Sequence, residues 1–116
     1  MIQTRGPVVP AATATLHAAA CQIPAGRVVT YAQLAMLVGI ARGGRVAGAA
    51  MRHAPSTVPW HRVLGRASYG RARIAVMDAR VAATQCARLR AEGVIVTANG
   101  SVDLREFGWL PLDSAT

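Results

Sequence analysis

His61 and Glu92 are the side chains whose types could together do catalytic chemistry, because a carboxylate that orients an imidazole is a common way to activate a nucleophile. No nucleophile accompanies them in sequence. No serine, threonine or cysteine adjoins His61, and nothing in the spacing of Ser56 and Thr57 recommends them. Cys21 and Cys86 form no CxxC pair and have no histidine at ligand spacing, so no disulfide framework, metal site or cofactor is expected. Both read as buried thiols in helices with apolar neighbours, which are inert.

A second set of residues suits nucleic acid. Thirteen arginines against five acidic residues give the chain a net charge of +8, and an isoelectric point near 11.5 makes a polyanion its natural partner. Lysine is absent, which fits a GC-rich genome as well as a selection for bidentate phosphate contacts. Arg45, Gly48, Ala49 and Arg52 fall on one helix face by three- and four-residue spacing. Reading base edges in the major groove takes Asn, Gln or Arg spread along the helix, and this face has almost none between its ends. A Gly/Ala surface instead lets the backbone approach a narrow groove, and an arginine at the helix start can enter the base stack. The alternative is that Gly48, Ala49 and Ala50 face the core and Arg45 is merely solvated. Tyr31 lies in the first turn of the preceding helix, where free amides welcome phosphate; it is either a phosphate contact or a half-buried aromatic that satisfies its hydroxyl locally. Trp60, between Pro59 and His61 in a basic loop, is either a core tryptophan or the aromatic wall of a pocket for a flipped base.

The elements that must position these residues follow from patterning. A loose lead-in over residues 1–10 precedes a helix over Ala11 to Gln22, stopped by Ile23-Pro24-Ala25-Gly26. After an extended Arg27-Val28-Val29, Thr30 and Gln33 have capping-box spacing for a second helix, with Leu34, Leu37 and Val38 as its apolar stripe and Gly39 as its stop. A turn through Gly43-Gly44 leads to a third helix over Arg45 to His53, ended by Pro55, and the pair is a helix-turn-helix. Residues Pro55 to Arg73 read as a loop containing Arg66, Arg71 and Arg73. A fourth helix spans Val76 to Glu92, with Ala79, Ala82, Ala83, Cys86 and Leu89 on one stripe and Gly93 as its stop. Val94–Thr97 and Ser101–Leu104 flank Asn99-Gly100 as a predicted hairpin, and the tail with Trp109 packs back on the body. The fold class is therefore mostly α: a single small domain over residues 1–116, winged-helix-like, with a short C-terminal β-hairpin.

A chain of 116 residues with 53% hydrophobic and 16% charged residues has a core of its own and room for one domain. Its apolar residues form no run of 18, and the start lacks the flank of a signal peptide, so no membrane partner and a cytoplasmic location are expected.

Taken in order, Ile23-Pro24-Ala25-Gly26-Arg27-Val28, Thr30-Tyr31, Gly44-Arg45-Val46-Ala47-Gly48, Pro59-Trp60-His61-Arg62-Val63 and Ala91-Glu92-Gly93 resemble the DNA-binding domain of the O6-alkylguanine-DNA alkyltransferases. Those enzymes carry Pro-Cys-His-Arg-Val. Trp60 in place of the cysteine resembles the alkyltransferase-like proteins, which bind alkylated DNA without repairing it. The resemblance covers Leu16 to Trp109. It implies that Tyr31 rotates the phosphate beside the target nucleotide and that Arg45 fills the vacated stack. Gly48, Ala49 and Arg52 then complete the DNA-binding face. It implies a lesion pocket of Tyr31, Trp60, Val63, Arg71 and Arg73, with Arg73 or Arg71 over the flipped base. His61 and Glu92 match the pair that activates the missing thiol and survive as structure. The implied partners are duplex DNA containing O6-alkylguanine and nucleotide excision repair proteins, met by a monomer that is not an enzyme and needs no cofactor.

Two departures stand out. Ala54 replaces an asparagine that in the enzymes links the helix-turn-helix to the active-site loop, and the segment from Gly65 to Ile74 matches poorly. Two other functions compete with the sensor reading: alkyl acceptance by Cys21 or Cys86, and transcriptional regulation with the hairpin as a wing.

Overall fold

The computed structural model describes residues 11–110; the lead-in expected over residues 1–10 lies outside them. Helix α1 (Ala11–Ala20) leads through a turn to strand β1 (Val29–Thr30), then to α2 (Tyr31–Leu37) and α3 (Gly44–Arg52). A single 3-10 turn at Trp60–Arg62 runs into β2 (Val63–Ser68), followed by β3 (Arg71–Arg73), α4 (Ala79–Ala91), β4 (Ser101–Asp103) and a last turn of helix, α5 (Leu104–Phe107). The sheet has the order β1-β2-β3-β4, with β1 parallel to β2 and the other pairs antiparallel.

Strand alternation divides the interior into two cores. Val29 and Val63 point into one cluster with Leu16, Leu34, Ala47 and Met51 of the first three helices. Their neighbours Val28 and Leu64 point the other way, into a cluster with Leu89, Val94, Val102 and Leu104. Residues Val63 to Gly65 of β2 are buried, whereas Arg66 to Ser68 stand in solvent, so the β2–β3 hairpin projects as a wing.

The capping box forms as its spacing predicts: Gln33 N–H donates to Thr30 Oγ1 (3.1 Å) and Thr30 N–H to Gln33 Oε1 (2.9 Å). It starts α2 at Tyr31 and so fixes where that ring emerges. Gly39 takes φ +82°, a left-handed turn after the last helical residue, as its position suggests. The tail packs back through Val28 N–H to the Phe107 carbonyl and Trp109 N–H to the Val28 carbonyl, each 2.9 Å.

Three expectations need correction. The hairpin is not at Asn99-Gly100: a tight turn closes there, with Gly100 N–H on the Thr97 carbonyl (2.9 Å), but Val94 and Val96 bury their side chains in the second core while β4 pairs with β3. The true hairpin, β2 with β3, lies within the stretch expected to be loop; its pattern does not mark a strand because Arg71-Ala72-Arg73 has no β-branched or aromatic residue. Helix α4 begins at Ala79 rather than Val76, since the Asp78 carboxylate caps the Arg80 and Val81 amides. Cys21 is exposed rather than buried, because α1 ends at Ala20 and leaves the thiol in the following turn, while Cys86 is half-buried beside the second core.

Candidate nucleic-acid interface

Helix α3 turns Ala47, Ala50 and Met51 into the core, which leaves Arg45 and Arg52 exposed with Gly48 and Ala49 half-buried between them. Ala50 therefore belongs to the core, and Gly48 and Ala49 to the surface strip. The Tyr31 ring lies against this strip. A Cβ built on Gly48 would stand 3.9 Å from the ring, and one on Gly65 of β2 would also be 3.9 Å away. Gly65 has a second constraint, since its Cβ would come within 2.7 Å of the Ala75 methyl, so only glycine lets the strand pass there. Burial pushes the Tyr31 hydroxyl above its ordinary value and the Arg52 guanidinium partly offsets this; at neutral pH the group is a hydrogen-bond donor.

Two concave regions meet along this strip. A shallow notch of about 550 Å³ is flanked by Arg45, Arg52 and Arg66, with Tyr31, Gly44 and Gly48 beneath. A deeper cleft of about 540 Å³ has Trp60 on its wall, with Ala54, Ala75, Val76, Met77 and Val81 supplying apolar surface. Tyr31, Gly48 and Arg52 line both, so cleft and notch share a border. Three cations around a notch are suited to backbone phosphates, and an apolar cleft with an indole wall is suited to a planar base.

The segment that carries Trp60 is held from behind by one network. His61 Nε2 bonds Glu92 Oε2 (2.8 Å), Arg62 reaches the same carboxylate through Nε (3.0 and 3.2 Å) and Nη2 (2.7 Å), and Gly26 N–H donates to Oε1 (3.1 Å). Burial alone would raise the Glu92 carboxyl, but the bonds from Arg62, His61 and Gly26 overcome it and hold the group at about 2. An ionised carboxylate only accepts, so His61 Nε2 carries the proton; Nδ1 is buried and has no partner among the described residues. The imidazole–carboxylate pair expected from the sequence is thus formed; His61 faces not the cleft but a separate groove that also contains Ser56, Thr57 and the exposed Cys21.

Val63, Arg71 and Arg73 are not brought to the cleft. Val63 is fully buried in the first core, where the parallel pairing of β1 with β2 puts it opposite Val29. Arg71 turns toward β4 and donates from Nε to Ser101 Oγ (2.6 Å), while Arg73 is exposed on the same three-residue strand. Because the hairpin projects away from the body, the cleft is instead reached by the residues that follow β3, Ala75 to Met77. Sequence reasoning missed the place of Arg66 beside Arg45, and also the α4 face Val81, Gln85 and Arg88. The spacing of those three residues together with Glu92 was the available signal.

Comparison with known proteins agrees with the geometry. Residues 12–94 match the family described as 6-O-methylguanine DNA methyltransferase, DNA binding domain. The chain is 38% identical over 89 residues to the DNA base-flipping protein of Escherichia coli, which covers 75% of this chain and 65% of that protein's length. It is 38% identical over 103 residues to Alkyltransferase-like protein 1 of Schizosaccharomyces pombe, covering 83% of this chain and 92% of the relative. The fold superposes on the crystal structure of S. pombe Atl1 in complex with damaged DNA containing O6-carboxymethylguanine, with a TM-score of 0.72 and 36% identity over 86% of this chain and 95% of that one. The small half-helical domain with its short mixed sheet, the ordered motifs and the family match all agree: the chain belongs to the family of the 6-O-methylguanine DNA methyltransferase DNA-binding domain.

Proposed function

We propose that this protein is a non-enzymatic sensor of O6-alkylguanine in duplex DNA. It binds through the minor groove as a monomer, turns the damaged nucleotide out of the stack into the cleft walled by Trp60, and holds it there as a flag for nucleotide excision repair in the cytoplasm. The observation that carries this reading is the shared border of notch and cleft, because a nucleotide rotated at the phosphates gripped in the notch passes Tyr31 directly into the cleft. Arg45, exposed in the first turn of α3, is the group that fills the vacated stack; Gly48 and Ala49 let the helix backbone come close, and Arg52 and Arg66 hold phosphate. A relative named for base flipping and another crystallised on O6-alkylated DNA support the same direction. An indole is neither ionisable at neutral pH nor nucleophilic enough to accept an alkyl group, so binding takes the place of transfer.

The test is fluorescence anisotropy at about 0.15 M salt, where purely electrostatic binding is weakened, on one duplex with a single O6-methylguanine and the same duplex with guanine. A clear preference for the damaged duplex is expected, and equal affinity refutes the sensor. In the same assay Arg45→Ala weakens lesion binding by about 1 to 3 kcal/mol, the scale of a lost stacking contact to nucleic acid, and unchanged affinity sinks the assignment of Arg45. The intact mass of the protein stays the same after incubation with methylated duplex. A gain of one methylene on Cys21 or Cys86 would make it an enzyme.

A further inference from the structure

Helix α4 presents Val81, Gln85 and Arg88 along one face, with Glu92 continuing the line at its end. Gln85, Arg88 and Glu92 meet the segment that carries the cleft wall. Val81 lines the cleft itself. Gln85, fully buried, donates from Nε2 to the carbonyls of His61 (3.2 Å) and Val63 (3.1 Å). Glu92 binds His61 and Arg62. Arg88 reaches the indole, its guanidinium carbon lying 5.6 Å from the Trp60 ring centroid.

The position of Arg88 is informative because it does not line the cleft. It belongs to a separate groove with Cys21 and His61, while Trp60 borders the cleft and is only half-buried. The guanidinium thus covers one face of the indole from outside the cleft. The His61 ring meets the indole at 88° with centroids 6.4 Å apart, which restrains it from a second side. A half-buried indole without these two contacts has other rotamers open to it, and a wall that swings cannot stack a base.

We infer that Arg88 is a positioning residue for lesion recognition, holding Trp60 by a cation–π contact so that the indole presents a fixed wall to the flipped base. The inference rests on the sensor reading above and deepens it. A contact of this kind is worth a factor of about two to thirty in the population of the orientation it holds. The test compares Arg88→Met, which keeps the apolar stem, with Arg88→Lys, which keeps a cation, in a Trp109→Phe background where Trp60 is the one fluorophore of its type. Arg88→Met lowers the preference for O6-methylguanine over guanine duplex by about tenfold and raises acrylamide quenching of Trp60 in the free protein, while affinity for undamaged duplex stays within about twofold; Arg88→Lys restores most of both readouts. An equal loss on both duplexes makes Arg88 a phosphate contact and overturns the inference, as does an unchanged preference. If the parent protein has no lesion preference, the sensor reading fails, and unchanged quenching of Trp60 then overturns the positioning role as well.

Discussion

Glu92→Gln should destabilise the fold by about 3 kcal/mol, the low end of what removing one partner from a buried ion pair costs, because the carboxylate is largely but not wholly withdrawn from water. Four donors converge on it, from His61, Arg62 and the Gly26 amide, and they tie three parts of the chain together. Arg62 extends the tie by donating to the Ile23 carbonyl (2.8 Å). A glutamine turns its amide group toward some of these donors and leaves them unpaired in a poorly hydrated place. The expected drop in melting temperature is on the order of 10 °C for a domain of this size. A loss below about 1 kcal/mol would mean that the network behaves like an ordinary surface ion pair.

The same carboxyl sets an acid limit. Its pKa is depressed in the fold, to about 2 from an ordinary 4.5, so the stability it contributes is fully present above the higher value and is lost as pH falls toward the lower one. Urea midpoints for the parent should therefore decline between about pH 4.5 and pH 2, and the Glu92→Gln protein should lack that part of the decline. Parallel curves for the two proteins would show that other carboxyls control acid unfolding.

Much of this was legible from sequence, and the reasons differ by element. The start of α2 was fixed by two local hydrogen bonds between residues three apart, which spacing alone reveals. The exposed strip on α3 was visible because two arginines bracket small residues at helical spacing, although only the structure separates Gly48 and Ala49 from the core-facing Ala50. Strand β3 was hidden because its identity comes from its partners. Arg71 and Arg73 have no strand propensity to speak of, and only Ala72, fully buried between them, anchors the strand in the second core. The strand also decides where its arginines lie: pairing on both sides holds Arg71 against Ser101 and keeps both Arg71 and Arg73 out of the cleft lining. Asn99-Gly100 marks a turn and a turn closes there, but a turn signal does not say which strand its second arm pairs with.

Trp60→Ala should abolish the preference for damaged DNA, with affinity for an O6-methylguanine duplex falling about 5- to 150-fold, the equivalent of about 1 to 3 kcal/mol for one base stacked on an aromatic ring. Among the described residues the cleft has one other aromatic side chain, Tyr31, whose ring lies against Gly48 and Gly65 at the border with the notch. The arginines of the notch are untouched by the substitution, and undamaged duplex, held by phosphate contacts, should bind within about twofold of the parent. Trp60 also packs against the first core, and truncating it leaves a void that costs stability by itself. Trp60→Phe separates the two effects, since it keeps a stacking face and most of the packing and should retain the greater part of the lesion preference. If the alanine variant is folded and still distinguishes the two duplexes, the base is not held against Trp60, and the cleft beside Tyr31 has some other use.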